Sequence, residues 1–353
     1  MQSPPQSAGA KLYLDEVVDS GILSGMRVSK PRGGKFLQLL EGEFRDMFGV
    51  PHAVGVNSAT SGLHCALVGC GVGPGDVVMV SGVTMTASAA AVVHARATPV
   101  FADVSPHTGL CSQEHWQEAF DYAAATLDKV PKAAVVVHLL GQVAEIGELA
   151  SQFKVVEDTA QAPWCASEAG ALAGTMGNVG VFSLNQDKII QCGEGGMCIT
   201  SDELIASKMR LLRNHGENFS TSVCGFNYRM TELQAAFAYH EIAQLAQRQT
   251  DRVRWGSYLA GALEESERYV PMDVSNPPYY FFCLDMERGA VGAPEGWRRG
   301  YSPPLCCTPY FKHHFKQSCL VGAHEFNARL ICVKAPATQE EADKLATAVL
   351  GTS

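Results

Sequence analysis

The sequence predicts an α/β fold: a large domain with a mostly parallel sheet between layers of helices, followed by a small α+β C-terminal domain. Three observations predict it. Short apolar, β-branched stretches alternate with helical stretches from Ala53 to Thr200, and strands of that composition are buried on both faces, as in parallel sheets. The 353 residues exceed what one simple core holds. From about residue 266 the chain becomes richer in Pro, Tyr and Cys and loses its regular patterning. The expected division is 1–245 for the large domain with its N-terminal segment, and 246–353 for a linking helix and the small domain.

The elements follow in order. Residues 1–24 read as a polar start and a helix with Leu14, Val17 and Val18 on one side. A loop, Ser29 to Lys35, precedes an amphipathic helix over Phe36–Phe48, in which Phe36, Leu39, Leu40, Phe44 and Met47 recur at helical spacing. Ala53–Val56 is a strand, and a helix begins near Leu63. Gly69–Asp76 is glycine-rich but follows a helix and carries Pro74, so it reads as a turn and not as a dinucleotide fingerprint. Val77–Val80, Thr98–Val104, Ala133–His138 and Phe153–Asp158 are strands. An Ala-rich helix after Ser88, then Glu114–Leu127 and Ile146–Gln152, are the helices between them. Val179–Phe182 and Met197–Thr200 flank a glycine-rich turn, and Asp202–Arg213 is helical. Thr231-Glu232-Leu233-Gln234 is a capping-box pattern opening one long helix towards Glu264–Glu265. The last helix covers Gln339–Leu350.

A net charge of −9, with no basic cluster interleaved with aromatics, argues against nucleic acid as a partner. No apolar run is long enough to span a bilayer, and Met1-Gln2-Ser3-Pro4-Pro5 does not open a signal peptide. The twelve cysteines include no Cys-x-x-Cys pair and no zinc-like histidine spacing, so no metal is expected. They read as buried, reduced thiols of a cytoplasmic protein.

Chemistry concentrates in three stretches. Lys188 stands alone between polar residues and Ile189-Ile190, before the Gly193-Glu194-Gly195-Gly196 turn. A lysine beside a buried cavity loses solvation, gives up its proton more readily and becomes nucleophilic, which is what a Schiff-base lysine requires. On that stretch alone, a surface lysine before a hairpin explains the pattern as well. Ser58, Ala59, Thr60 and Ser61 lie at a helix start, where N–H groups and hydroxyls form an anion site, or where Ser58 or Thr60 simply caps the helix. Asp158 ends a strand. Ligands in parallel sheets lie beyond the carboxyl ends of the strands, where Ser58, Thr84, His138 and Asp158 all fall. A phosphate site, a carboxylate and an amine are the three anchors of pyridoxal 5'-phosphate.

Four ordered motifs carry a resemblance. Asn57-Ser58-Ala59-Thr60-Ser61, Val156-Glu157-Asp158-Thr159-Ala160-Gln161-Ala162, Ser183 through Gly196, and Gly225-Phe226-Asn227-Tyr228-Arg229-Met230 resemble the phosphate loop, "EDxAQA", "S-x5-K…GEGG" and "GxNxRM" segments of the DegT/DnrJ/EryC1/StrS sugar aminotransferases. The similarity covers roughly residues 12–245 well and the remainder loosely. It implies an aspartate-aminotransferase-like (type I) fold and pyridoxal phosphate as cofactor. It implies that Lys188 bonds to the cofactor and moves the proton, and that Asp158 pairs with the pyridinium nitrogen. Gln161 would contact the ring-hydroxyl side, and Thr60, Ser61 and Ser183 would hold the phosphate. Asn227 would reach the neighbouring subunit's phosphate site, so a homodimer with shared active sites is expected; a turn residue before the capped helix is the plainer alternative.

The chain departs from that pattern on the acceptor side. Met85 stands where an aromatic ring commonly stacks on the cofactor, Asn185-Gln186 where His-Pro is frequent, and Pro304-Leu305-Cys306 where Pro-Leu-His is common. The stretch from Tyr280 to Pro304 is short. His138, His215 and Arg229 are read as structural before being read as pocket-lining. The expected reaction moves an amino group from an amino acid, glutamate foremost, to a nucleotide-linked keto-sugar. A non-sugar cyclic ketone, another reaction of the same cofactor, or a cofactor-binding protein without turnover are the alternatives.

Overall fold

The computed structural model describes residues 7–27, 29–217, 223–264, 270–271, 281–285, 297–317 and 320–350. Glu265 and Tyr280 therefore lie outside the described residues. Helix α1 (Ser7–Ser20) buries Ala10 and Val17. Val18 is 60% exposed, because one further residue turns it about 100° away from the buried face. Helix α2 (Lys35–Phe48) buries Phe36, Leu37, Leu40, Phe44 and Phe48; Leu39, expected inside, lies on the outer side of that stripe.

The chain then alternates β1 (His52–Val56), α3 (Ala59–Gly69), β2 (Val77–Ser81), α4 (Thr86–His94), β3 (Thr98–Ala102), α5 (Gln113–Leu127), β4 (Ala133–Val137), α6 (Leu149–Gln152), β5 (Lys154–Asp158), β6 (Val179–Ser183), β7 (Gly196–Thr200) and α7 (Glu203–Arg213). These seven strands form one sheet in the order β1-β7-β6-β5-β4-β2-β3. Strands β3, β2, β4, β5 and β6 run parallel, whereas β7 is antiparallel to both neighbours. β2 (Val-Val-Met-Val-Ser) and β4 (Ala-Ala-Val-Val-Val) are buried at every position without alternation, as burial on both faces requires.

Register places the chemistry along one edge. Asp158 lies opposite Val137 on β4 and Val181 on β6, and Ser183 lies opposite Gly196, itself opposite Val56. The carboxyl ends of β1, β5 and β6 and the start of β7 are thus neighbours.

The long helix expected after Thr231 is two: α8 (Glu232–Ile242) and α9 (Leu245–Ala262). In an unbroken helix Glu241 and Arg248 would stand about 10 Å apart along the axis. The break brings buried Glu241 into a two-pronged pair with Arg248, at 2.7 and 2.9 Å, and Arg248 also reaches Ile189 O at 2.9 Å in the lysine loop. No Gly or Pro announces this break in the sequence.

Beyond it, β8 (Val270–Pro271), β9 (Phe281–Asp285), β10 (Arg298–Arg299), α10 (Pro309–Phe315), α11 (Val321–Arg329), β11 (Leu330–Lys334) and α12 (Gln339–Leu350) follow. The four short strands make a separate antiparallel sheet, β10-β11-β9-β8. This part docks on the edge of the large sheet. The Gln317 amide accepts from Phe101 N–H (2.7 Å) and donates to Phe101 O (2.6 Å), as a paired strand would on β3. Asp103, just past β3, caps α11 through Gly322 N–H (3.0 Å) and Ala323 N–H (2.8 Å). Among the described residues every cysteine is a free thiol, but not every one is buried: Cys224 is exposed and Cys70, Cys192 and Cys307 are half-buried.

Candidate active site

The start of α3 follows β1 through a tight turn. Ser58 is the N-cap: its Oγ accepts from Ser61 N–H at 3.1 Å and lies 2.8 Å from Ser61 Oγ, which donates to Asn57 Oδ1 at 2.6 Å. The capping expected of Ser58 is therefore present, and Ala59 and Thr60 form the helix's first residues, half-buried at its open end. Gly196 of β7 lies against this turn so closely that a Cβ there would come within 2.6 Å of the Ser58 carbonyl carbon. Only glycine lets the two backbones approach so far, and the approach brings Ser183, opposite Gly196, beside the helix start.

Lys188 lies in the loop between β6 and β7. This loop closes on itself through Leu184 N–H to Gly195 O (2.9 Å), Gln186 N–H to Gly193 O (2.9 Å) and Lys188 N–H to Asn185 O (2.9 Å). Asn185, in place of the more frequent histidine, accepts from Asp187 N–H and donates to Glu194 Oε1 at 2.8 Å, so it braces the loop. Ile189 and Ile190 are buried beneath it and Lys188 is half-buried.

Asp158 is 6% exposed. Its Oδ2 accepts from Ser88 Oγ at 2.7 Å, Ser88 Oγ lies 2.8 Å from Thr84 Oγ1, and Asp158 Oδ1 accepts from Ala160 N–H at 3.2 Å. No cation faces this buried carboxylate among the described residues. A buried charge without a partner is costly, so the donor set suits a cationic N–H that arrives with a ligand. Ser88 is the residue that sequence reasoning passed over. The signal was a hydroxyl one turn after Thr84 in an otherwise Ala-rich helix.

Gln161 is also buried; its Oε1 accepts from Leu140 N–H at 2.9 Å and its Nε2 donates to the Tyr301 hydroxyl. Met85 is 58% exposed at the N-cap of α4, its sulfur accepting weakly from Ala87 N–H. Asn227 is exposed; Asn57 Nδ2 donates to its backbone O at 3.4 Å. Asn57 N–H donates to Tyr228 O at 2.9 Å, so this segment lies against its own chain's helix start.

His138 does not join the site. It is fully buried, with Nδ1 accepting from Ala144 N–H (3.0 Å) and Nε2 donating to Glu157 Oε2 (2.8 Å), so both ring nitrogens are used. Glu157 in turn accepts from Gly174, Met176 and Gly177 N–H at 2.7, 2.8 and 2.5 Å. His215 is exposed in a left-handed turn, and Arg229 donates to Asn214 Oδ1 at 2.9 Å.

A mostly parallel sheet carrying a lysine loop, a buried acid and an open helix start along one edge is the plan of the aspartate-aminotransferase (type I) fold. Within it, the chain belongs to the DegT/DnrJ/EryC1/StrS aminotransferase family, whose model matches residues 19–287. It is 36% identical over 265 residues to the GDP-perosamine synthase of Caulobacter vibrioides, covering 71% of this chain and 66% of that one. It is 38% identical over 221 residues to the L-glutamine:2-deoxy-scyllo-inosose aminotransferase of Streptomyces kanamyceticus, covering 57% and 50%. The chain thus spans between half and two thirds of these relatives' lengths. S. venezuelae DesV superposes with a TM-score of 0.84 at 26% identity, over 98% of this chain and 94% of that one. A family aminotransferase from Brucella abortus gives 0.86 at 23%, over 100% and 99%. No helix among the described residues is long and apolar enough to cross a membrane.

Proposed function

We propose that the protein is a pyridoxal phosphate-dependent aminotransferase that moves an amino group from an amino acid to a keto-sugar carried on a nucleotide, acting in the cytoplasm in amino-sugar biosynthesis. The observation that carries this is the arrangement along one sheet edge of Lys188, the α3 start and Asp158, which faces no cation among the described residues. A relative named GDP-perosamine synthase supports a nucleotide-linked acceptor.

Bound pyridoxal phosphate supplies an aldehyde that takes up the amine and a pyridinium ring that accepts electrons. Asp158 holds the proton on the ring nitrogen, with Ser88 and Thr84 fixing its carboxylate so that no reorganisation is needed as charge develops. The first-turn N–H groups of α3, with the Thr60 and Ser183 hydroxyls, would hold the phosphate dianion, and Ser61 would join them by turning its hydroxyl away from Asn57. The Lys188 amine would hold the cofactor through its aldehyde carbon and, once displaced, would move the proton between the substrate carbon and that former aldehyde carbon. Met85 lies one turn before Ser88, where its thioether would pack on the ring as a softer lid than an aromatic side chain. Gln161 takes the ring-hydroxyl side.

The exposed Asn227 side chain, which has no hydrogen bond among the described residues, reaches a second copy's phosphate site, making a homodimer with shared active sites. The α8–α9 break lies beside the 245/246 boundary between the two domains. A second reading, favoured by the inosose relatives, is a cyclic polyol ketone as acceptor with glutamine as donor. A half-reaction screen separates them: yellow protein bleached by glutamate or glutamine is challenged with keto-sugars and keto-cyclitols, and the yellow form returns with the true acceptor. Protein whose colour no amino acid bleaches overturns the aminotransferase reading.

A further inference from the structure

We propose that Tyr301 is a positioning residue, whose hydroxyl sets the Gln161 amide and, through it, the orientation of the cofactor ring; this rests on the reading of the site given above. The Gln161 carbonyl is committed to Leu140 N–H at 2.9 Å, which fixes which end of the amide faces which way. That N–H is itself held. Leu140 adopts φ 58°, a strained conformation for a leucine, in a turn pinned by His138 between Glu157 and Ala144 N–H. The amide nitrogen must therefore face the opposite side, where it donates to Tyr301.

A primary amide nitrogen has two hydrogens. Tyr301 takes one, and the second is the donor left for the oxygen on the ring. Gln161 thus meets that oxygen as a donor, never as an acceptor, and favours its ionised form. Tyr301 belongs to the C-terminal part, in a segment laid over the end of β2 by Leu305 N–H to Gly82 O (3.4 Å) and tied further on to β3 by the Gln317 pair with Phe101. Docking of that part is in this way read directly at the cofactor. Removing the hydroxyl leaves Gln161 anchored at one end only.

The test compares wild type, Y301F, Q161L and the double variant, each titrated with pyridoxal phosphate, with absorbance spectra across pH and melting curves. Y301F should weaken cofactor binding about 3- to 10-fold, the effect of one net hydrogen bond, and move the pH midpoint of the colour change upward. Without cofactor it should melt at the wild-type temperature. In the Q161L background the same substitution should change neither binding nor midpoint, since Tyr301 acts through Gln161. Wild-type uptake of cofactor with an unaltered Y301F overturns the Tyr301 proposal alone, as does an equal effect in both backgrounds. Wild-type protein that takes up no pyridoxal phosphate overturns the reading of the site, and this proposal with it.

Discussion

Replacing Asp158 with asparagine removes one charge and little else. The side chain keeps its volume, and its remaining oxygen still accepts from Ser88 or from Ala160 N–H, which now lie at 2.7 and 3.2 Å. What is lost is the attraction between a carboxylate and a protonated ring nitrogen. At an effective dielectric of about 20 and a separation of about 4 Å, that attraction is about 4 kcal/mol. An asparagine hydrogen bond to the nitrogen restores about 1 kcal/mol. The difference, about 3 kcal/mol, corresponds to roughly two decades in rate. Asp158→Asn should therefore lower kcat by about 100-fold in a stopped-flow half-reaction with the amino donor, while cofactor still binds. A kcat within about 2-fold of wild type, measured on variant shown to carry cofactor, refutes the assignment of Asp158 to the ring nitrogen.

Lys188→Ala should abolish turnover with an unchanged far-ultraviolet circular dichroism spectrum, because the variant lacks the amine that carries the proton; near wild-type turnover contradicts this. Asn227→Asp sets a carboxylate against a phosphate dianion and should weaken cofactor binding. Refolded together, Asn227→Asp and Lys188→Ala should form hybrids in which one site carries both defects and the other neither, so activity returns. Tight cofactor binding by Asn227→Asp, or inactive hybrids, removes the shared site. A fourth expectation concerns stability. Burial pushes His64, beside Tyr228 (3.1 Å) and His94, down from 6.5 to about 4. The folded state resists protonation there, so stability is intact above pH 6.5 and is lost as pH falls towards about 4. The loss is on the order of 3 kcal/mol. Urea midpoints measured across that window should lose this slope in His64→Asn; an identical slope excludes His64 as its source.

The strands were legible because burial on both faces leaves a composition signal that needs no partner to interpret: β2 and β4 are apolar at nearly every position. Capping was legible for the same local reason, since Thr231 and Gln234 meet within one turn. The anchors Ser58, Asp158 and Lys188 could be placed at strand ends or in a loop. Their convergence depends on strand order, to which the sequence pattern is blind. Ser88 and Tyr301 escaped notice because their roles come from contacts with Asp158, 70 residues away, and Gln161, 140 residues away. His138 stood at a strand end like the others, yet Glu157 on the neighbouring strand draws it into the interior. The α8–α9 break depends on the Glu241–Arg248 pair and on the lysine loop, neither visible in helical periodicity.

The central claim is that Lys188 is the amine that binds the cofactor covalently. Purified protein loaded with pyridoxal phosphate is reduced with borohydride, digested, and mapped by tandem mass spectrometry. The prediction is one reduced pyridoxyl phosphate group per chain, on the peptide containing Lys188. A label on a different lysine, or no label on protein that has taken up the cofactor, contradicts it.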